Sequence, residues 1–178
     1  MSSLQNELDT LKREVRALQD RQEIADCINR YCRGLDRLDA DALRSAYHPG
    51  ALDRHGPFYG DREQFVPWAI EIEAACQATQ HNVTTHICEL QGDSAHAETY
   101  CVWFALMADG KTIINGAARY IDHLERRDGA WAIVARCEVM DFSWQSNRSD
   151  GGAWEQVKAR RDRSDLCYQR PLSVPKTE

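Results

Sequence analysis

The sequence predicts an α+β domain in which helices come first and pack on one face of a curved antiparallel sheet. Three observations carry that expectation. Between Leu4 and Leu38 apolar residues recur at helical spacing. From His81 onward, four long runs are rich in β-branched and aromatic residues. The turn signals "QGDS", "ADGK" and "RRDGAW" separate those runs and are short enough to join neighbouring antiparallel strands.

Leu4, Leu8, Leu11, Val15 and Leu18 step by fours and threes with charged residues between them, a short heptad stripe. So short a stripe makes a weak coiled coil alone, so it is expected to pack on a partner subunit or on its own domain. At Gln22 the phase shifts. Ile24, Cys27, Ile28, Tyr31, Leu35 and Leu38 then form the core face of a main helix. Asp39 can cap a second helix from Ala40 to Tyr47, which Pro49 and Gly50 stop. "ALDRH" is a short strand candidate and "GPFYGD" a turn. Asp61 and Gln64 have capping-box spacing at the head of "REQFVPWAIEIEAACQA", a helix that Pro67 should kink or split.

The strands follow as "HNVTTHICELQ", "SAHAETYCVWFALMA", "TIINGAARYIDHLERR" and "AWAIVARCEVMDFSW". Asp128-Gly129 is a two-residue hairpin signal between the last two. Beyond Trp144 the chain turns polar, with a short helix expected in "AWEQVKARRDR" and a mobile tail after it. The implied division is an amphipathic helix over 1–22, an α+β domain over 23–145, and a helix and tail over 146–178.

At 178 residues and 43% hydrophobic content the chain can bury one core without disulfide staples. No uninterrupted apolar run approaches the ~18 residues of a membrane span, and the first residues lack the layout of a signal peptide. The net charge of -6 argues against nucleic acid as a partner. The basic run "KARRDRSD", interrupted by aspartates, is expected to be a solvated helix face. Seven cysteines, scattered and without a CxxC pair, suit reduced buried thiols in a cytoplasmic protein.

No GxGxxG, GxxxxGK[ST], HExxH or GxSxG motif occurs, so a nucleotide cofactor or a nucleophilic serine has no support. A metal site is not expected either: His81 and His86 should point to opposite strand faces, and Asp53 with His55 lacks an evident third ligand. General acid–base chemistry remains, and it needs a carboxylate paired with an imidazole away from water. Asp36 draws the eye. Unlike Asp39 and Asp41 it has no capping role, and it falls where the negative end of the main helix should lie.

Three blocks, "RQEIADCINRYCRGLDRLDADALRSAYHPGA", "HNVTTH" and "GAARYIDHLERRDGAWAIVAR", resemble the SnoaL-like branch of the nuclear transport factor 2 superfamily over about residues 20–145. The resemblance implies a cone-shaped barrel, a strongly curved antiparallel sheet wrapped around the N-terminal helices and enclosing an apolar pocket. Family members include a hexachlorocyclohexane dehydrochlorinase, scytalone and bile-acid dehydratases and a diarylpropane lyase, which use an Asp–His dyad without cofactor or metal.

Carried across, the resemblance puts that dyad on Asp36 and His81, with Tyr31 and Arg136 as further catalytic positions. His81 would take a carbon-bound proton, Asp36 would orient it, and Tyr31 and Arg136 would manage charge on the oxygen side. Tyr47, Tyr59, Trp68, Trp103 and Tyr120 are candidate substrate-binding residues. The expected partners are a hydrophobic small molecule and further copies of the chain, as a trimer or dimer.

Other roles stay open for these residues. Tyr31 lies on the apolar stripe of its helix and suits plain core packing. Arg136 could pair with Glu138, His81 could bond at a strand start, and His48, His55 and Tyr59 suit turn roles. The function expected is a cofactor-independent lyase, a dehydratase or a related elimination or deformylation, acting on an aromatic or polycyclic molecule. An isomerase or cyclase with the same pocket, or a noncatalytic binding module like a dioxygenase small subunit, are the alternatives.

Overall fold

The computed structural model describes residues 3–149, 157 and 159–175. Helix α1 spans Ser3–Asp36 without a break and α2 spans Ala40–Ser45. Strands β1 (Tyr47–His55) and β2 (Phe58–Asp61) form a hairpin, and α3 spans Arg62–Ala74. Four long strands follow: β3 (Cys76–Gln91), β4 (Ser94–Met107), β5 (Thr112–Arg127) and β6 (Ala130–Asn147).

The class is α+β as expected, with two differences in the sheet. Its order is β2-β1-β6-β5-β4-β3, so it is open, with β2 and β3 as edges, and not a closed barrel. Nor is it purely antiparallel, because β1 runs parallel to β6. Helix α3 carries the chain from the edge strand β2 to β3 at the opposite edge, and the antiparallel meander from β3 then ends with β6 beside β1.

Local chemistry explains several boundaries. Asp61 and Gln64 form the capping box, and α3 then continues through Pro67 without being split. The missing amide forfeits only a bond to the carbonyl of Glu63, an exposed residue in the first turn. The helix ends at Ala74 and β3 starts at Cys76, so His81 sits inside the strand and not at its start. "GPFYGD" is a turn only at Gly56-Pro57, since Phe58–Asp61 pair with β1. Asp128 and Gly129 both take positive φ, as the tight hairpin requires. Of the C-terminal helix expected over 153–163, residues 153–156 and 158 lie outside the described residues, and the described ones carry no helix.

The core lies between α1 and the concave face of the sheet. Ile24, Ile28, Tyr31 and Leu35 of α1 pack against Cys101, Tyr120, Leu124 and Ile133. Gly34 allows α2 to cross closely, since a Cβ there would lie 2.7 Å from the backbone nitrogen of Leu43. The buried Asp20 anchors α1 to the sheet, accepting from Arg126 Nη1 at 2.6 Å and Trp131 Nε1 at 2.9 Å. Leu4, Leu8, Leu11, Val15 and Leu18 stay exposed along the first half of α1. Cys137 and Cys167 are also exposed, unlike the buried Cys27, Cys32, Cys88 and Cys101, and all seven are free thiols. Among the described residues, no helix is long and apolar enough to cross a membrane.

Candidate active site

The site is built on the end of α1. A helix terminus leaves carbonyls unpaired and a partial negative charge, to which Asp36, the last residue of α1, adds a full one. Two devices answer the unpaired carbonyls. The Asp39 amide donates to the Gly34 carbonyl at 2.8 Å and the Leu38 amide to that of Leu35 at 3.1 Å. This is a Schellman turn with Leu38 at φ 52°.

The second device is Arg161. Its Nε donates to the Asp36 carbonyl at 3.0 Å, and Nη1 to the carbonyls of Glu73 at 2.7 Å and Cys76 at 3.1 Å. Nη2 reaches Thr79 Oγ1 at 2.9 Å and the Leu35 carbonyl at 3.4 Å. One guanidinium from the C-terminal segment thus joins the ends of α1 and α3 to the start of β3. It is no solvated surface charge.

The Asp36 side chain is committed to His81. Oδ2 accepts from the His81 backbone amide at 3.0 Å, and Oδ1 lies 2.8 Å from the ring Nδ1. A proton on Nδ1 satisfies that contact and leaves the Nε2 lone pair pointing away from Asp36. Nε2 lies 4.0 Å from Glu73 Oε1. Burial opposes charge on the ring, but the hydrogen bond and charge of Asp36, reinforced by Glu73, outweigh it. The His81 pKa is therefore raised above its ordinary value.

Two cavities meet at His81, Thr79 and Phe104. The larger, about 690 Å³, is bordered by Asp36, Asn29 and Gln80 and by Ala159, Asp165 and Cys167 of the C-terminal segment. The smaller, about 260 Å³, lies inside the cone and has the aromatic lining expected of a pocket for an apolar molecule. Tyr31, Phe65, Trp68 and Trp103 form much of its wall, and His81, Glu73, His55 and Glu138 supply its imidazoles and carboxylates. Trp103 is seated over Gly116, where a Cβ would come within 2.5 Å of the indole.

The other expected site residues divide in two. Tyr31, Trp68 and Trp103 line the smaller cavity. The Tyr31 hydroxyl is buried without a hydrogen-bond partner, and burial raises its pKa and keeps it protonated. Arg136 lines neither cavity. Its Nε and Nη2 each donate at 2.7 Å to Asp122, not to Glu138, and its guanidinium sits 4.1 Å from the Tyr31 ring centroid and 4.2 Å from that of Tyr120. Tyr47 and Tyr120 lie in the core behind the cavity, bonded to Asp53 Oδ2 at 2.5 Å and Cys101 Sγ at 3.4 Å. Tyr59 is 67% exposed on β2, away from both cavities.

Glu73, Arg161 and the place of His55 in the cavity wall are not legible in the sequence. The spacing "EIEA" marks Glu73 as helical but not as turned inward. His55 reads as a residue beside a turn, and its neighbour across the sheet, Glu138, is far away in the chain. Asp36, Glu73 and His81 each bring one ligand atom within 4.8 Å of the others. A cation there would compete with both Asp36–His81 hydrogen bonds and with the Arg161 guanidinium, 3.6 Å from Glu73 Oε2, so the cluster suits a proton better than a metal.

No curated protein matches the sequence. The chain is similar in structure to the hexachlorocyclohexane dehydrochlorinase LinA-type3 from Novosphingobium barchaimii LL02, at 19% identity and TM-score 0.68, over 75% of this chain and 94% of that one. It is similar to a scytalone dehydratase-like protein from Novosphingobium aromaticivorans DSM 12444 at 13% identity and TM-score 0.68, over 80% and 97% of the two chains. The Kfla4162 protein from Kribbella flavida matches at 16% identity and TM-score 0.66, over 72% and 95%. At such identities these likenesses speak for the fold. Residues 16–137 match the family described as the SnoaL-like domain, and the chain belongs to that family.

Proposed function

We propose that this protein is a lyase that removes a carbon-bound proton from a hydrophobic, ring-containing small molecule and expels a leaving group. The observation that carries the proposal is the Asp36–His81 pair, with Nδ1 2.8 Å from the carboxylate, at the edge of an aromatic-lined cavity. In an elimination, Nε2 takes the proton, the C–H electrons form the new double bond, and the bond to the leaving group breaks. Asp36 stabilises the imidazolium that results. The buried Tyr31 hydroxyl is a protonated donor for an oxygen that leaves, and Arg136 behind its ring holds that ring in place. The proton acceptor, its orienting carboxylate and the donor are all side chains, so the chemistry needs no cofactor.

The dehydrochlorinase and dehydratase-like neighbours support an elimination, and the aromatic wall supports a ring-bearing substrate. The chain is further proposed to act as a homo-oligomer through the exposed leucines of α1, which sedimentation velocity checks. The decisive experiment incubates wild type, His81→Ala and Asp36→Asn with hydroxylated aromatic and polycyclic compounds and follows product masses. Loss of water, hydrogen halide or formaldehyde by wild type alone supports the proposal. A rearranged product of unchanged mass assigns an isomerase, and turnover undiminished in both variants overturns the dyad.

A further inference from the structure

The smaller cavity has a second polar end. His55 closes β1 and Glu138 lies on the neighbouring β6, whereas His81 lies on β3 at the far edge of the curved sheet. His55 Nε2 is 3.4 Å from Glu138 Oε1, and both residues line the cavity. On its other side, Nδ1 faces Asp53 Oδ1 at 3.5 Å, and neither atom has a hydrogen-bond partner. Asp53 is 1% exposed, and its other oxygen accepts from the Tyr47 hydroxyl at 2.5 Å. The imidazole packs among Phe65, Trp68 and Tyr120, with ring centroids 5.5, 6.3 and 6.1 Å away.

An imidazole between two carboxylates is an expensive arrangement in an aromatic core, because each group gives up hydration. The pairing is loose for a purely structural one: both His55 contacts exceed good hydrogen-bond length. A ligand that bonds to both His55 and Glu138 would complete them. The donor–acceptor inventory restricts what it can be. Each ring nitrogen of His55 faces a carboxylate, Nδ1 toward Asp53 and Nε2 toward Glu138, an arrangement satisfied by an N–H on both. The Nε2–H then gives a hydrogen bond and the Glu138 carboxylate takes one, so the complementary group must accept one and donate one. A neutral hydroxyl does both. An anionic oxygen cannot donate, and it would face the negative charge of Glu138 and Asp53.

We propose that His55 and Glu138 form a hydroxyl-binding subsite, so that the molecule bound in this cavity carries a neutral phenol or alcohol hydroxyl at the end away from His81. Asp53, held by Tyr47, acts as a positioning residue that fixes the His55 ring. The inference rests on the proposed use of this cavity for an apolar substrate, but not on the reaction at His81.

Binding of 2-naphthol, naphthalene and 2-naphthoate, read by calorimetry, tests it. Wild type is expected to bind 2-naphthol about tenfold more tightly than the other two, the value of one hydrogen bond to a charged partner. His55→Phe and Glu138→Leu should each reduce that preference to within about twofold, while Glu89→Gln, exposed on β3 and away from both cavities, keeps it. Equal binding of 2-naphthol and naphthalene by wild type overturns the proposal, as does tightest binding of 2-naphthoate or a preference unchanged in both His55→Phe and Glu138→Leu. If the variants do not fold, histidine ring signals of wild type decide: 2-naphthol should move those of His55, and a shift confined to His81 contradicts the subsite. Binding is read without turnover, so a failed lyase screen and a failed subsite are separate results.

Discussion

Asp36 holds His81 at two points, accepting from its backbone amide at 3.0 Å and meeting its ring nitrogen at 2.8 Å. The backbone contact fixes where β3 passes the end of α1, and the ring contact fixes the tautomer. The position of the strand and the tautomer of the ring depend on one carboxylate.

Asp36→Asn keeps the shape and removes the charge. The variant should fold, lose about 100-fold or more in turnover, and show a lowered His81 pKa by NMR titration.

The raised His81 pKa also sets a stability window. The protonated ring is favoured in the folded state, so its contribution is fully present below the unfolded value of about 6.5. It is lost as pH rises through the higher folded value. Wild type should therefore lose stability relative to His81→Gln as pH rises through that interval, which urea unfolding at a series of pH values measures.

Arg161→Ala removes a cation that serves both helix ends. Several carbonyls are left to water or to nothing, so the variant should lose about 2 kcal/mol of stability. Limited proteolysis should cut near residues 159–175 faster than in wild type.

Arg136 and Asp122 are fully buried partners, with 0% side-chain exposure on both sides. Arg136→Ala should cost about 3–5 kcal/mol, because it leaves a buried carboxylate alone. The double replacement Arg136→Met with Asp122→Leu should recover much of that loss. Chemical denaturation of the two variants checks both values.

Gly116→Ala forces the Trp103 indole from its seat. About 1–3 kcal/mol of stability should go with it, and tryptophan fluorescence should shift as the cavity wall moves.

Much of this architecture is written in local patterns. The capping box at Asp61, the Asp128-Gly129 hairpin and the apolar face of α1 each follow from a few neighbouring residues. The Asp36–His81 pair is legible only through resemblance, because 45 residues separate its members and no spacing rule links a helix end to a strand interior. The parallel β1–β6 pairing is equally long-range.

Arg136 shows a subtler limit. On a regular strand it shares a face with Val134 and Glu138, but β6 has an extra residue between Ile133 and Ala135 where it pairs with β5. The bulge at Val134 puts Arg136 on the inward face with Ile133 instead, opposite Asp122. Arg161 lay hidden for a different reason: its partners are main-chain carbonyls, which leave no mark in a sequence.

The central claim is that His81 presents a basic Nε2 to the cavity because Asp36 holds the proton on Nδ1. Nitrogen-15 spectra of the histidine side chains, recorded above the His81 pKa in wild type and in Asp36→Asn, test it directly. The account predicts an Nδ1–H tautomer in wild type and a loss of that preference in the variant. An Nε2–H tautomer in wild type, or spectra unchanged by Asp36→Asn, would contradict it.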